Sequence, residues 1–243
     1  MLPKIDVPVY ETKLISNGKT IKYRPFLVKE QKIFLMASQS EDVKDMINAI
    51  KQVLKNCVLN DDVDIDSLPV FDLEYLFLQL RARSVNEVVN LKYTCNNPVK
   101  DDAGNEKPCG GSVSVDVNIL EIEPTKNPEH DNKISLSENL GICMKYPTFE
   151  ILEKLNSKED VDFLSVIASC IDYIYDKENV YYAKDADPAE LNEFIESMQQ
   201  ADVEKIQTFF ETMPKITKDF DFKCKKCGYE EHIEIEGMQS FFV

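Results

Sequence analysis

The sequence predicts an α+β chain: a helical body around a buried central helix, with antiparallel hairpins clipped together by four cysteines. Three observations predict it. The stretch from Pro69 to Val85 is apolar on two adjacent helical faces. Period-two alternation marks separate strand segments in the middle and at the end of the chain. Two cysteine pairs occupy matching settings of strand, Cys, loop, Cys-Gly and strand.

Bulk composition narrows the function classes. The chain has 243 residues, 43% of them hydrophobic and 30% charged, which suits a packed globular core. A net charge of −16, from 28 basic and 44 acidic residues, argues against a nucleic-acid binder. It favours solubility and basic partners. No apolar run approaches the ~20 residues that span a bilayer, and Met1 to Asp6 lacks an apolar signal segment, so a cytosolic protein is expected. Seven cysteines, an odd count, do not suggest a disulfide framework.

The elements follow in chain order. Val9 to Ile15 and Ile21 to Arg24 form a hairpin around Asn17-Gly18, a pair that tolerates positive φ. Pro25 breaks the strand, and Val28 to Ala37 reads as a short helix. Ser40 to Leu59 keeps helical spacing through Met46, Ile50, Val53, Leu54 and Cys57, which places Cys57 in the core. The acidic run Asn60 to Asp66 lacks the Gly and distal Glu of a calcium loop and reads as a solvated connector.

The central helix follows. Leu73, Leu76, Phe77 and Leu80 make one apolar face, and Phe71, Tyr75, Leu78 and Ala82 a second beside it. Such a helix must be covered from both sides. Ser67 is placed to cap it, Pro69 suits its first turn, and Arg81 and Arg83 lie at the negative end of its dipole.

Val89, Leu91 and Tyr93 alternate with polar residues and end at Cys95. Residues 96–108 read as a loop, and Val113 to Ile119 as the returning strand after Cys109-Gly110-Gly111. Ile134 to Leu136 and Ile142 to Tyr146 suggest a further hairpin. Phe149 to Leu155 and Glu159 to Tyr175 read as helices, with Cys170 in the core of the second. Asp187-Pro188-Ala189-Glu190 is a helix start, and the helical pattern runs to Pro214. Phe220 to Phe222 and Ile233 to Ile235 flank Cys224-Lys225-Lys226-Cys227-Gly228, and Phe241-Phe242-Val243 ends the chain as an apolar tip. The domain expectation is 1–87, then 88–147 with 215–236, then 148–214, or all three as one compact domain.

The cysteine pairs carry the best chemical signal. Two facing hairpins would set Cys95, Cys109, Cys224 and Cys227 around one tetrahedral zinc, a zinc-ribbon-like site of four cysteines. The Cys224 to Cys227 spacing is ordinary for such a knuckle. The wider gap from Cys95 to Cys109 is an excursion from a similar turn. A redox pair would open a helix, and here a strand pattern follows. Four thiolates leave no open coordination position, so the expected Zn2+ is structural. His130 and His232 read as plain surface residues, and no phosphate loop, nucleophile elbow or two-histidine helix appears, so no enzyme and no small-molecule substrate are expected.

Tyr23-Arg24-Pro25-Phe26-Leu27-Val28-Lys29-Glu30, Phe71-Asp72-Leu73-Glu74-Tyr75-Leu76-Phe77 with Arg81 to Val85, and Met144-Lys145-Tyr146-Pro147-Thr148 carry a resemblance. They are similar to blocks of the baseplate hub proteins of T-even-type contractile-tailed bacteriophages, from about Pro8 to Phe242. The resemblance implies a non-enzymatic viral protein that helps build the central hub of the tail baseplate, as hub subunit or assembly factor. It implies other hub and tail proteins as partners, and the host cytoplasm or the virion tail as location. It supplies no catalytic residues. The first hairpin with Arg24 to Glu30, and the apolar tail Phe241-Phe242, are candidate contact points; otherwise both pack on the core, which is the expectation for Phe26. The alternative is a zinc-ribbon adaptor that docks on a transcription or replication complex, which a basic face would favour.

Overall fold

A computed structural model describes residues 5–37, 39–40, 43–100, 104–125, 127–151 and 163–237. The chain divides into two compact units, one of residues 1–62, 74–125 and 215–243, the other of residues 63–73 and 126–214. Helix and antiparallel sheet are mixed, as the sequence predicts. Among the described residues no helix is long and apolar enough to cross a membrane.

The first unit opens on the hairpin β1 (Tyr10–Lys13) and β2 (Thr20–Tyr23). Gly18 sits at φ +71°, the left-handed conformation its turn needs. Helices α1 (Val28–Ala37) and α2 (Val43–Cys57) follow, and Cys57 is fully buried in the core, as expected. Helix α3 (Val70–Ser84) is the central helix: Leu73, Leu76, Phe77 and Leu80 are buried, and so are Phe71, Leu78 and Ala82 from the second face. The division between the units falls inside it, after Leu73.

Ser67 does not cap α3. It closes a short 3-10 turn (Ile65–Ser67), where its hydroxyl donates to the Asp64 carbonyl, while the Asp64 side chain accepts from the Asp66 N–H. The turn between the acidic run and the helix takes up the serine, so Pro69 alone leads into α3. Part of the acidic run is also more than solvated charge: Asp62 pairs with Lys19 at 2.8 Å.

The Arg24 to Glu30 block is explained by a buried ion pair. Glu30 is fully buried, and one carboxylate oxygen accepts from Arg24 Nη2 at 2.9 Å. Its other oxygen accepts from the Leu27 N–H at 2.9 Å, the reach-back of a capping box at the start of α1. Arg24 also donates to the Asn56 carbonyl at the end of α2. Phe26 packs edge-on against Phe34, and Phe34 against Phe77 of α3, with centroids 5.6 Å apart in each case. So this block ties α1, α2 and α3 together.

Burial pushes the Glu30 carboxyl up, but the Arg24 and Leu27 hydrogen bonds outweigh it and hold its pKa below the usual carboxylate range. A depressed folded-state pKa contributes stability above the unfolded value, and that stability is lost as pH falls through the folded one. Glu30→Ala leaves Arg24 without its buried partner and should cost about 3–5 kcal/mol in urea unfolding. The penalty should shrink as pH falls below the usual carboxylate range and the carboxyl is progressively neutralised.

The rest of this unit is two long ribbons. Strand β3 (Val88–Thr94) pairs with β6 (Ser112–Asn118), and β11 (Thr217–Lys223) with β12 (Glu230–Glu236). Alternation puts Tyr93 and Val113 of one ribbon, and Phe220, Phe222, Ile233 and Ile235 of the other, into a shared core with the cysteines. The 96–108 stretch is not a plain loop. It holds a short hairpin, β4 (Pro98–Lys100) with β5 (Glu106–Pro108), whose three-residue strands are too short and too charged for alternation to show.

The second unit is a four-stranded antiparallel sheet in the order β10-β9-β8-β7, covered by helices. Strands β7 (Lys133–Ser135) and β8 (Gly141–Met144) form the expected hairpin. Helix α4 spans Phe163–Cys170, with Cys170 buried as expected. It does not run on to Tyr175: Ile171–Tyr175 is strand β9, followed by β10 (Val180–Tyr182). Ile171, Ile174 and Tyr175 satisfy helical spacing, but pairing with β8 wins, which β-branched and aromatic residues favour. The expected helix at 149–155 begins at Phe149, and its residues from 152, like 159–162 of the next, lie outside the described residues, as does Phe241-Phe242-Val243.

Helix α5 (Pro188–Glu196) starts as predicted, with Asp187 accepting from the Ala189 N–H at 2.8 Å and Pro188 at the first position. Helix α6 (Gln200–Thr212) ends before Pro214. Ile142, Met144, Ile167, Ile171, Ile195, Ile206 and Phe209 form the core between sheet and helices.

His130 is not a plain surface residue. It is half-buried in this unit, with Nδ1 2.9 Å from Thr212 Oγ1 and Nε2 2.9 Å from the Tyr146 hydroxyl. Its ring stacks on Tyr146 and leans on Phe209. Burial lowers its pKa, so it favours the neutral ring. His232 is exposed as expected, and pairs with Asp221 across the ribbon at 2.9 Å.

Candidate metal centre

The four cysteines meet at one end of the ribbon pair. Cys95 follows β3, Cys109 precedes β6, and Cys224 and Cys227 lie in the turn between β11 and β12. Their sulfur atoms all lie within 4.8 Å of one another, with three of the residues buried and Cys227 half-exposed.

Each pair sits in the same turn. In the second, Gly228 N–H donates to the Cys224 carbonyl at 2.9 Å, and Cys224 N–H to the Tyr229 carbonyl at 2.8 Å. In the first, Gly110 N–H donates to the Cys95 carbonyl at 2.9 Å, and Cys95 N–H to the Gly111 carbonyl at 2.7 Å. Gly110 at φ +65° and Gly228 at φ +76° make the matching left-handed step. The β4–β5 hairpin is spliced into the first turn. Pro98 faces Pro108 at its base, and Cys109 N–H donates to the Asn97 carbonyl at 2.9 Å. In space, Asn97 therefore adjoins Cys109, and the pair has the same two-residue spacing as Cys224 and Cys227.

The sulfur geometry fits a tetrahedral ion. Cys95 Sγ lies 3.7 Å from Cys227 Sγ, and Cys109 Sγ 3.7 Å from Cys224 Sγ. A tetrahedron with metal–sulfur bonds of about 2.3 Å has edges of about 3.8 Å. A disulfide would need about 2.05 Å, and all seven cysteines are free. No helix opens after Cys227, which removes the structural setting of a redox pair.

The protonation chemistry points the same way. The Cys227 N–H aimed at Cys224, supported by that of Lys226, lowers the Cys224 thiol to about 6 against the effect of burial. Burial pushes Cys95 up to about 12 and raises Cys109, although Asn97 and Gly111 N–H groups oppose it. A divalent cation among the sulfurs would supply the charge that lets all four serve as thiolates. Backbone N–H groups aimed at sulfur are the outer shell such a site needs. Lys226 adds a side-chain bond to the Cys109 carbonyl, which ties one turn to the other.

Gly111 is the positional requirement that the cysteine spacing does not reveal. A Cβ there would lie 2.7 Å from Cys224 Sγ and 3.5 Å from Cys109 Sγ. Gly111→Ala should therefore push a ligand out of place and weaken metal retention by about 10–100-fold, as loss of outer-shell support does. Competition with a chromogenic chelator measures it. Gly110→Ala, with open space around its Cβ, should cost only about 1–2 kcal/mol of backbone strain and retain the metal more firmly.

We found no match among curated proteins and none among solved structures. Residues 7–243 match the family described as T4 bacteriophage base plate protein, which takes in both units and the four cysteines. The chain belongs to the T4 bacteriophage base plate protein family.

Proposed function

We propose that the chain is a non-enzymatic tail protein that takes part in assembling the central hub of the baseplate, as hub subunit or assembly factor, by binding other hub and tail proteins. The family match over residues 7–243 carries this reading. Its work takes place in the host cytoplasm during assembly, with the virion tail as the place of a retained subunit. The four cysteines hold one structural Zn2+ that fixes the ribbon pair, and the closed sulfur set leaves no position for a substrate.

The adaptor reading would need a basic face for nucleic acid. The outer face of β11 and β12 instead exposes Asp219, Asp221, Glu234 and Glu236, which favours the tail reading. Co-expression with the neighbouring tail proteins, followed by affinity purification, tests it. A hub complex that contains this chain is expected, and its absence under all pairings would remove the reading. Mass spectrometry of mature virions separates a retained subunit from an assembly factor.

A further inference from the structure

We propose that the outer edge of β10 and the adjoining cleft bind an extended, apolar and basic segment of a partner protein, which pairs as a fifth strand on the second unit's sheet. The site lies far in sequence from the cysteines and is not used by the metal centre. Its source in a tail protein rests on the assembly reading.

Strand β10 ends the sheet, and no described strand lies beyond it. In this hairpin the Asp176 N–H donates to the Asn179 carbonyl at 3.0 Å, which marks those two as a hydrogen-bonded pair. Antiparallel pairs alternate, so Tyr181 opposite Ile174 is bonded inward, while Val180 and Tyr182 turn their N–H groups outward. All three residues are about half-exposed: Val180 52%, Tyr181 50% and Tyr182 50%. Soluble proteins ordinarily blunt such an edge by shortness, charge, proline or a cover; β10 is three residues long, with Lys184 Nζ 5.4 Å from the centre of the Tyr182 ring at its end. Here the edge residues are a valine and two tyrosines, the composition of a pairing surface.

A cleft of ≈ 450 Å³ runs beside this edge, between β10 and α5. Ile174, Leu191 and Phe194 give it an apolar wall, and Asp185 and Glu190 stand at its rim. A groove between an edge strand and a helix is the arrangement in which an added strand is held by backbone bonds and read by its alternate side chains. The wall takes an aliphatic side chain, and the two carboxylates select Lys or Arg beside it. The nearby Asp176, Glu178 and Asp187 outnumber Lys177 and Lys184 and keep that sign, which disfavours an acidic segment such as a second copy of this chain, at net charge −16, would mostly offer.

The test uses the full chain and an array of overlapping peptides of about twelve residues that tile the other tail proteins of the same phage, enough for one strand with flanks. Expected binders alternate aliphatic with Lys or Arg. Asp185→Lys with Glu190→Lys, both exposed, should weaken them about tenfold or more. Val180→Pro, which removes one outward N–H and leaves the bonded Tyr181 pair, should do the same. Hydrogen exchange should slow at Val180 and Tyr182 on binding and stay unchanged at Tyr181. Binding indifferent to both variants, unchanged exchange at Val180 and Tyr182, or no bound peptide would each overturn the proposal. A hub complex that forms equally well with both variants would overturn it while leaving the assembly reading in place.

Discussion

Replacing Leu76 or Phe77 with aspartate should leave no folded protein at 25 °C. Leu76 is fully buried and Phe77 1% exposed, on the apolar face of α3 that lies within the first unit. The side chains along that face, Leu73, Leu76, Phe77 and Leu80, are all buried and apolar. At position 77 a carboxylate stands one turn from Arg81, whose Nη1 is buried without a hydrogen-bond partner, so the larger loss is expected at Leu76. The effective penalty for an unpaired buried ion is several kcal/mol, to which the lost side-chain packing adds. A domain's whole stability is about 5–15 kcal/mol. Phe77→Ala gives the graded version: about 3–5 kcal/mol, from the cavity and from the loss of the edge contact with Phe34. Circular dichroism and urea unfolding read both. A soluble, cooperatively folding Leu76→Asp chain would show that this helix face is not part of the core.

Cys224→Ser should remove the metal and open the ribbon pair while the second unit stays folded. Elemental analysis of the purified native chain should find one zinc per chain, and iron in its place would keep the geometry while changing the ion. Cys224 supplies the thiol most readily ionised, so its loss should reduce metal affinity by more than the 10–100-fold typical of an outer-shell change. Acid should act in the same direction. The ligands must be deprotonated, so metal retention should fall as pH drops through the range where thiolates are reprotonated. Hydrogen exchange gives the spatial readout. Amides of β3, β6, β11 and β12 should exchange faster in the variant, and those of β8 and β9 should not change. A metal-free native chain with protected ribbons would dismiss the structural role.

Much of this was legible in the sequence where local pattern and tertiary pairing agree. The two faces of α3, the Asn17-Gly18 hairpin and the Asp187-Pro188 start all carry their own chemistry of spacing, turn or cap. The cysteines were legible as a set because Cys-Gly recurs between alternating strands, and they lie together as that pattern requires. Other features depend on distant partners. Ile171 to Tyr175 fits a helix until β8 is beside it. His130 gains its environment from Tyr146 and Thr212, which are 16 and 82 residues away. Glu30 looks like surface charge until Arg24 and the Leu27 amide close over it. Gly111 reads as turn composition, and only the approach of Cys224 shows that its missing side chain matters.

The hairpin spliced into the first turn has a consequence for tolerance to change in length. Pro98 and Pro108 are opposed at its base, and the Cys109 to Asn97 bond closes the turn beneath it. The positions of Cys95 and Cys109 therefore register the stem and not the length of chain beyond it. Lengthening the chain between Lys100 and Glu106 should leave the sulfur positions unchanged, because the closure cost of a longer loop grows only logarithmically. That makes the stretch between Lys100 and Glu106 the place to insert an affinity tag or fluorophore. In related chains it is also the place where length should vary most freely.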